Sequence, residues 1–395
     1  MSVYRKRYNH QLLRQLLDWR NVSFACKGLF WIVRASMRVV IGRSVIQHGG
    51  WEKEKKDILG RLDWLCERII VEPEALMKKM PPVLGASFGG EWAIYSCAHL
   101  SAALLNISRI YPEEKSRAIV LIGKLVEMVL SPELKAYDTH AWGEDALETL
   151  SGNKSHMTYL SLLAWVISNY KFCGGDGRYD DLFHGCCEAL NRRMLHRKDL
   201  NLPSFPRTPI FIPDMMFTIV SLHNYSIIFD GKYSDTVNRW LTKAKTEWID
   251  KSSGLLVSMI TRNGRPIRGS YTALNVYCLT MIDEEFAKDQ YERMKRASGK
   301  VGRLSGIREY LYKDPFLRPD VDAGIVGPGL SGSGTAWAIG GATYFNDKEF
   351  RDALLTTADK AGVTVGRKSR RHYYLGELAI VGEAVVLAMR THINN

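Results

Sequence analysis

Residues 90–107, GEWAIYSCAHLSAALLNI, are small or apolar on nearly every side of a helix, whereas residues 112–130, PEEKSRAIVLIGKLVEMVL, gather their charges toward one side. The first helix has to be buried all round. The second has a dry face and a wet one. The same alternation continues along the chain. Segments of the first kind recur at 155–170 (SHMTYLSLLAWVISNY), 212–229 (IPDMMFTIVSLHNYSIIF), 269–282 (GSYTALNVYCLTMI), 327–345 (GPGLSGSGTAWAIGGATYF) and 375–389 (LGELAIVGEAVVLAM). Segments of the second kind lie at 51–70, 112–130, 179–195, 233–249, 283–298 and 347–361.

The apolar segments open near Glu91, Lys154, Pro213, Arg268, Gly327 and Leu375, in steps of 63, 59, 55, 59 and 48 residues. That is the size of a helical hairpin, repeated six times. Six buried helices inside six amphipathic ones make an all-α (α/α)6 toroid over 51–395, with an open helical solenoid as the competing arrangement. Helix starts repeat as well: Asp283 and Asp347 each stand as an N-cap before an acidic first turn and an apolar fourth residue. Strand signals are short and scattered, as at Leu255 to Ile260 before Asn263-Gly264.

Residues 1–50 form a separate, basic arm. Positions 12–44 lack proline and read as one amphipathic helix, with Arg20, Lys27, Arg34 and Arg38 along one line and Leu29, Val33, Met37 and Val40 roughly opposite. Either the Leu/Val/Met side packs on the toroid, or the helix docks on a membrane surface or a partner protein. The net charge of the 395 residues is +12, which favours anionic surfaces. The seven cysteines show neither CxxC nor a Cys/His zinc spacing, and no apolar leader precedes a cleavage site. These features predict reduced thiols in a cytoplasmic protein, membrane-associated if the arm docks there, without metal, cofactor or nucleic-acid site; a homo-oligomer stays open. The basic run GRKSRRHYY at 366–374 reads as a solvated loop or an anion-binding rim.

In a toroid every inner helix starts at the same end, so polar residues at those starts converge. They are Glu91 and Trp92; Trp142, Glu144, Asp145 and His156; Asp214; Arg268, Ser270 and Tyr271; Arg308, Glu309, Asp320 and Asp322; and Tyr373 or Tyr374 with Glu377. Carboxylates, guanidinium groups and aromatics together suit acid–base chemistry on a small molecule. Duller roles compete: Asp214 as a helix cap, Glu144 and Asp145 as first-turn acids, Arg308 and Glu309 as a local ion pair. His99 and His223 lie deeper and read as satisfied core residues. The Gly-rich run from Gly324 lacks the order of a phosphate loop and reads as close backbone packing around a cavity.

Several short stretches, in order, are similar to the linalool dehydratase/isomerase-type (α/α)6 family: ASFGGEW, AWGED, the Tyr159-Leu and Arg178-Tyr179 pair, Pro213-Asp214, SYTALNVY, EFAKDQYERMK, and IREY followed by DVDAG. The resemblance implies a cofactor-independent lyase, isomerase or cyclase acting on a small terpenoid-like substrate. Carried over by position, Tyr271 is a pocket tyrosine and Asp320 and Asp322 are the family's aspartates. The family's histidine falls on Leu162 and its two cysteines near Phe211 and Val220, so these three are missing here. The expected site is therefore Asp322, Asp320, His156 and Glu144 for proton transfer, with Trp92, Trp142, Tyr159, Asp214, Arg268, Tyr271, Arg308 and Glu309 holding the substrate. A glycosidase-like toroid and a non-catalytic protein docked through its basic arm are the alternatives.

Overall fold

Asp283 accepts a hydrogen bond from Phe286 N at 3.0 Å, and Asp347 accepts one from Phe350 N at 3.3 Å. Each cap thus satisfies an amide that the helix itself cannot. The computed structural model describes residues 19–41, 49–82, 85–310, 326–327, 329–367 and 370–394. Its helices are α1 (Trp19–Ile41), α2 (Trp51–Ile69), α3 (Pro73–Met77), α4 (Gly85–Ile110), α5 (Lys115–Leu130), α6 (Pro132–Trp142), α7 (Met157–Phe172) and α8 (Asp180–Leu195), followed by α9 (Ile212–Ile228), α10 (Ser234–Glu247), α11 (Gly269–Leu279), α12 (Glu284–Arg296), α13 (Gly332–Tyr344), α14 (Lys348–Gly362) and α15 (Ile380–Arg390).

Helices α4, α7, α9, α11, α13 and α15 each pack on the next, and α15 returns to α4. The ring closes, which excludes the open solenoid. Outside it lie α2, α5, α8, α10, α12 and α14, each against the inner helix that follows or precedes it. Burial follows the two sequence patterns: α7 is buried at every residue from Met157 to Tyr170, whereas α12 is buried only at Phe286, Ala287, Gln290, Tyr291 and Met294. The middle of the ring is filled with aromatic side chains. His99 of α4 lies 4.8 Å from Trp337 of α13 and 6.1 Å from Phe217 of α9, and Trp165 of α7 lies 6.3 Å from Tyr277 of α11. These contacts join helices that are not neighbours, so they cross the barrel axis.

The glycines of α13 allow its neighbours to approach. A Cβ on Gly340 would lie 2.6 Å from Met389 Sδ, and one on Gly334 would lie 3.1 Å from the Ser270 backbone. Within the Gly-rich run from Gly324, close backbone packing is seen at Gly334, whereas a Cβ on Gly329 would meet nothing.

Short antiparallel strands lie in the connections that lead into inner helices. β1 (Ile210–Phe211) precedes α9 and pairs with β2 (Met259–Ile260), Ile210 facing Ile260. β3 (Ser298–Val301), β4 (Leu304–Arg308), β5 (Val326–Gly327) and β6 (Leu330–Ser331) form a sheet in the order β3-β4-β6-β5, and β7 (Thr364–Val365) pairs with β8 (His372–Tyr373).

The first and last hairpins are joined by buried charge. Glu54, Asp57 and Arg61 of α2 meet Arg351 of α14 and Glu383 and Arg390 of α15, with Arg371 on Asp57 and the Tyr373 ring 3.9 Å under the Arg61 guanidinium. Tyr373 therefore belongs to this junction, and Glu377 pairs with His372 at 3.1 Å; neither joins the cluster of helix starts.

The arm helix lies the other way round from the packed arrangement. Trp31 Nε1 donates to Ala361 O at 2.7 Å, Phe30 sits 5.0 Å from the Tyr374 ring, and Leu29, Ile32, Val33 and Met37 face outward. Positions 12–18 and 42–44 of the expected helix lie outside the described residues. Among the described residues, no helix is long and apolar enough to cross a membrane. All seven cysteines are free.

Two histidines are sealed in the ring. Burial pushes His99 down to about 4 and His392 down to about 3, and His392 Nε2 lies 2.7 Å from Thr280 Oγ1. Both are neutral in the fold, while in the unfolded chain they bind protons below about pH 6.5. As pH falls below that value the unfolded state gains protons and the folded state does not, so stability is lost toward pH 4, by about 1.4 kcal/mol per pH unit for each histidine. The unfolding midpoint should drop from pH 7 to pH 5, and His392→Gln should flatten that slope. An unchanged slope in the variant would refute the assignment.

Candidate active site

The loop after α5 opens with Ser131-Pro132-Glu133 and the helix after it ends at Gly143, where φ is 73°. Ser131 Oγ accepts from Leu134 N, Pro132 sits in the first turn and Gly143 takes the left-handed stop. These signals build α6, a helix absent from the sequence reading. Gly90 brings it against α4, since a Cβ there would lie 2.9 Å from Tyr137 Cβ and 3.2 Å from Leu134 O. Tyr137 is thereby brought near enough to Glu91 to feel its charge.

Asp138 Oδ2 lies 2.6 Å from His156 Nδ1, and His156 Nε2 lies 3.5 Å from Glu144 Oε1. Lys154 completes the chain, 2.8 Å from Glu144 Oε2. The relay thus runs from a buried carboxyl, through a buried imidazole, to a carboxylate at the surface. Burial raises the Asp138 carboxyl above its ordinary value against the pull of His156, while the hydrogen bond from Lys154 lowers Glu144. His156 holds a left-handed backbone, φ 46°, at the entry to α7. The preceding loop is fixed by buried Arg193, which donates to the carbonyls of Thr149, Leu150, Gly152 and Ser155.

Tyr137 marks a second cluster next to the first. Its hydroxyl is buried without a hydrogen-bond partner, and burial pushes it far up, helped by the nearby charges of Asp138, Glu91 and Asp214. The other oxygen of Asp138 and the indole nitrogen of Trp142 are likewise buried and unpartnered. Asp214 does not cap α9. Its carboxylate accepts from Tyr95 at 3.4 Å and from Ser204, reaching across the ring between helices that are not neighbours. Glu91, Trp92, Tyr95, Phe211, Asp214 and Arg268 all keep partial solvent contact although their neighbours further along are sealed. The end of the ring where inner helices begin is therefore only partly sealed, which makes it the candidate cleft, with Trp337, Phe217 and His99 below it. His99 is only half satisfied: Nδ1 lies 2.7 Å from Tyr95 O and Nε2 has no partner. His223 is half-buried, and burial lowers its value too.

Other expected site residues have different positions. Arg308 and Glu309 are not paired with each other: Arg308 is exposed, and Glu309, buried, accepts from Arg268 Nε at 2.7 Å, Ser270 Oγ at 2.9 Å and Ser270 N at 3.0 Å. Strand alternation sends neighbouring side chains to opposite faces, which separates the two. Glu309 therefore closes the start of α11 and sets Arg268, whose guanidinium lies 5.3 Å over Tyr271; Tyr271 in turn packs edge-on to Phe211. Tyr159 points outward from α7, its hydroxyl donating to Val129 O at 3.2 Å, so it is core and not cleft. Asp145 pairs with Lys135 and accepts from Leu147 N, holding the turn after α6. The Trp142 ring lies 5.4 Å from the His156 ring, tilted by 46°. Asp320 and Asp322 lie outside the described residues. The described residues contain no group of side chains suited to a metal ion.

No family model matches the chain, and no curated protein matches it. Among solved structures it is similar to an unsaturated glucuronyl hydrolase specific for heparin, with 10% sequence identity, 84% of this chain and 96% of that chain covered, and a TM-score of 0.50. That neighbour is an (α/α)6 barrel, and the likeness carries the toroid fold.

Proposed function

We propose that the chain is a carbohydrate-active, glycosidase-like enzyme that binds a sugar ring in the cleft at the starts of the inner helices and cleaves its glycosidic bond by carboxylate acid–base chemistry. The observation that carries this reading is the Tyr137 hydroxyl, buried and unpartnered, with the charges of Asp138, Glu91 and Asp214 close enough to push it up. A buried polar group without a partner costs about 1–3 kcal/mol, a cost that a hydroxyl-bearing ligand removes. Carboxylates accept hydrogen bonds from sugar hydroxyls, and the indoles of Trp92 and Trp142 offer flat apolar faces to the C–H side of a ring.

Asp214, which accepts from both Ser204 and Tyr95 and keeps partial solvent contact, serves as the base or nucleophile. Glu91, across the ring beside Tyr137, serves as proton donor to the departing oxygen. Arg268 at the rim, oriented by Glu309, suits an acidic sugar, and the glucuronyl substrate of the structural neighbour is of that class.

A second reading, a cofactor-independent lyase, isomerase or cyclase on a terpenoid-like substrate, is favoured by the aromatic floor of His99, Phe217, Trp165 and Trp337, which would stabilise a developing carbocation. One ligand screen separates them. Uronate-bearing and neutral oligosaccharides, terpenoid alcohols and isoprenyl diphosphates are each tested for thermal stabilisation and product release. A saccharide at a hundredfold its Kd should stabilise the fold by about 2.7 kcal/mol and be cleaved. Stabilisation by terpenoids alone would overturn the proposal in favour of the second reading, and no response to any ligand would favour the non-catalytic alternative.

A further inference from the structure

The outward side of α1 carries a continuous apolar strip. Leu29 is 65% exposed, Ile32 53%, Val33 47% and Met37 59%, and the small exposed side chains of Ala25, Cys26 and Ser36 fill the spaces between them without adding a charge. At 100° per residue these side chains share one half of the helix. The opposite half is committed to the toroid through Trp31 on Ala361 O, Phe30 on Tyr374 and Lys27 on Glu377 at 3.9 Å. The helix is therefore held with its dry face turned to water.

Charge decides what covers this face. Residues 1–50 contain nine Lys and Arg against the single acid Asp18, and the connection from β7 to β8, between the Ala361 and Tyr374 contacts of the helix, adds exposed Arg367 and Arg370. A shallow groove of about 270 Å³ between α1 and the body is lined by Lys27, Arg68, Lys78 and Lys79 against one acid, Glu377, which pairs with Lys27 and Arg68. Two copies meeting through this face would bring two strongly positive arms together, which repel. An anionic lipid surface offers hydrocarbon for the strip and negative headgroups for its basic border.

We infer that α1 is an interfacial membrane anchor that inserts Leu29, Ile32, Val33 and Met37 among the acyl chains of an anionic bilayer while Arg34, Arg367 and Arg370 contact headgroups. The groove is also lined by Met80 to Pro82 and Gly376 to Ile380, the segments that lead into α4 and α15, so the anchor lies at the end of the toroid that carries the cleft. Docking thus turns the cleft end toward the membrane.

The test is sedimentation of the full chain with vesicles of phosphatidylcholine alone or mixed with phosphatidylserine, run alongside light scattering for molecular mass. Binding should appear with the mixed vesicles only and weaken with salt. Leu29→Glu with Val33→Glu should lower it at least tenfold. Charge reversal at Arg34, Arg367 and Arg370 should lower it roughly fivefold per side chain, and it puts the same question should the first variant unfold. No binding to mixed vesicles, or binding by both variants equal to that of the parent chain, would overturn the inference. So would a dimer that the Leu29/Val33 variant splits without any vesicle binding, because the face would then belong to a second copy.

Discussion

Asp214→Asn should lower turnover of the oligosaccharide substrate by about 10²- to 10⁴-fold, the range in which a positioned acid or base contributes. The expected change in the unfolding midpoint is small. Asparagine keeps the shape of the side chain, its carbonyl oxygen still accepts from one of Tyr95 and Ser204, and the other hydroxyl can rotate to accept from the amide. What is lost is the charge in the cleft and the capacity to take a proton or attack a carbon. The acidic limb of the pH–rate profile, set by ionisation of the base, should vanish with it. Full turnover with an unchanged profile would remove Asp214 from the chemistry. A variant that loses activity together with its fold would leave Glu91→Gln as the cleaner probe, because Glu91 sits in the first part of α4 with partial solvent contact.

The toroid is legible because its signal is redundant. Six helices that must be buried on all sides alternate with six that cannot be, and no arrangement short of a closed double ring buries the first set so completely. The caps at Asp283 and Asp347 could be read from composition and spacing alone, and both form. The site is legible only in part. His156, at the start of α7, does meet Glu144, which stands in the loop just past the end of α6, and Asp214 at the start of α9 keeps partial solvent contact beside Tyr95. Tyr137 and Asp138 escape a sequence reading because α6 lies outside the hairpin period, although Ser131-Pro132 and Gly143 mark its ends. Tyr159 is misplaced because an inner helix buried on every side gives no hint of which residue faces the axis. The arm stays open between two arrangements for a related reason: a hydrophobic stripe states that a face prefers to be dry, not where the rest of the chain leaves room for it.

The buried charge at the ring junction is hidden most thoroughly. Glu54, Asp57 and Arg61 share a stripe of α2, and charges at helical spacing read as a wet face. In the fold they face inward. Arg61 donates from Nε to Asp57 at 3.0 Å, from Nη1 to Glu383 at 2.7 Å and from Nη2 to Thr364 at 2.9 Å, with 1% of its side chain exposed. The two carboxyls it serves move in opposite directions. Burial works to raise Asp57, yet Arg61, Arg390 and Arg371 together hold it down at about 2; burial of Glu383 outweighs Arg61 and leaves it raised. Asp57 therefore stabilises the fold above its unfolded value near 3.8, and this contribution is lost as pH falls toward 2.

Arg61→Met should lower folding stability by about 3–5 kcal/mol in denaturant unfolding, because it leaves Glu383 buried with its largest counter-charge gone. Methionine fills most of the volume, so the loss reports charge and not a cavity. Replacing Glu383 by Leu in the same chain should recover a large part of the loss, since an apolar pair has no desolvation cost to offset. A single variant that costs less than about 1 kcal/mol would mean that the junction is held by packing alone. A double variant no better than the single one would mean that Arg61 acts mainly through Asp57 and Thr364. The recovery thus measures how the ring is closed: through one ion pair between the first and last hairpins, or through a network in which each arginine holds several partners at once.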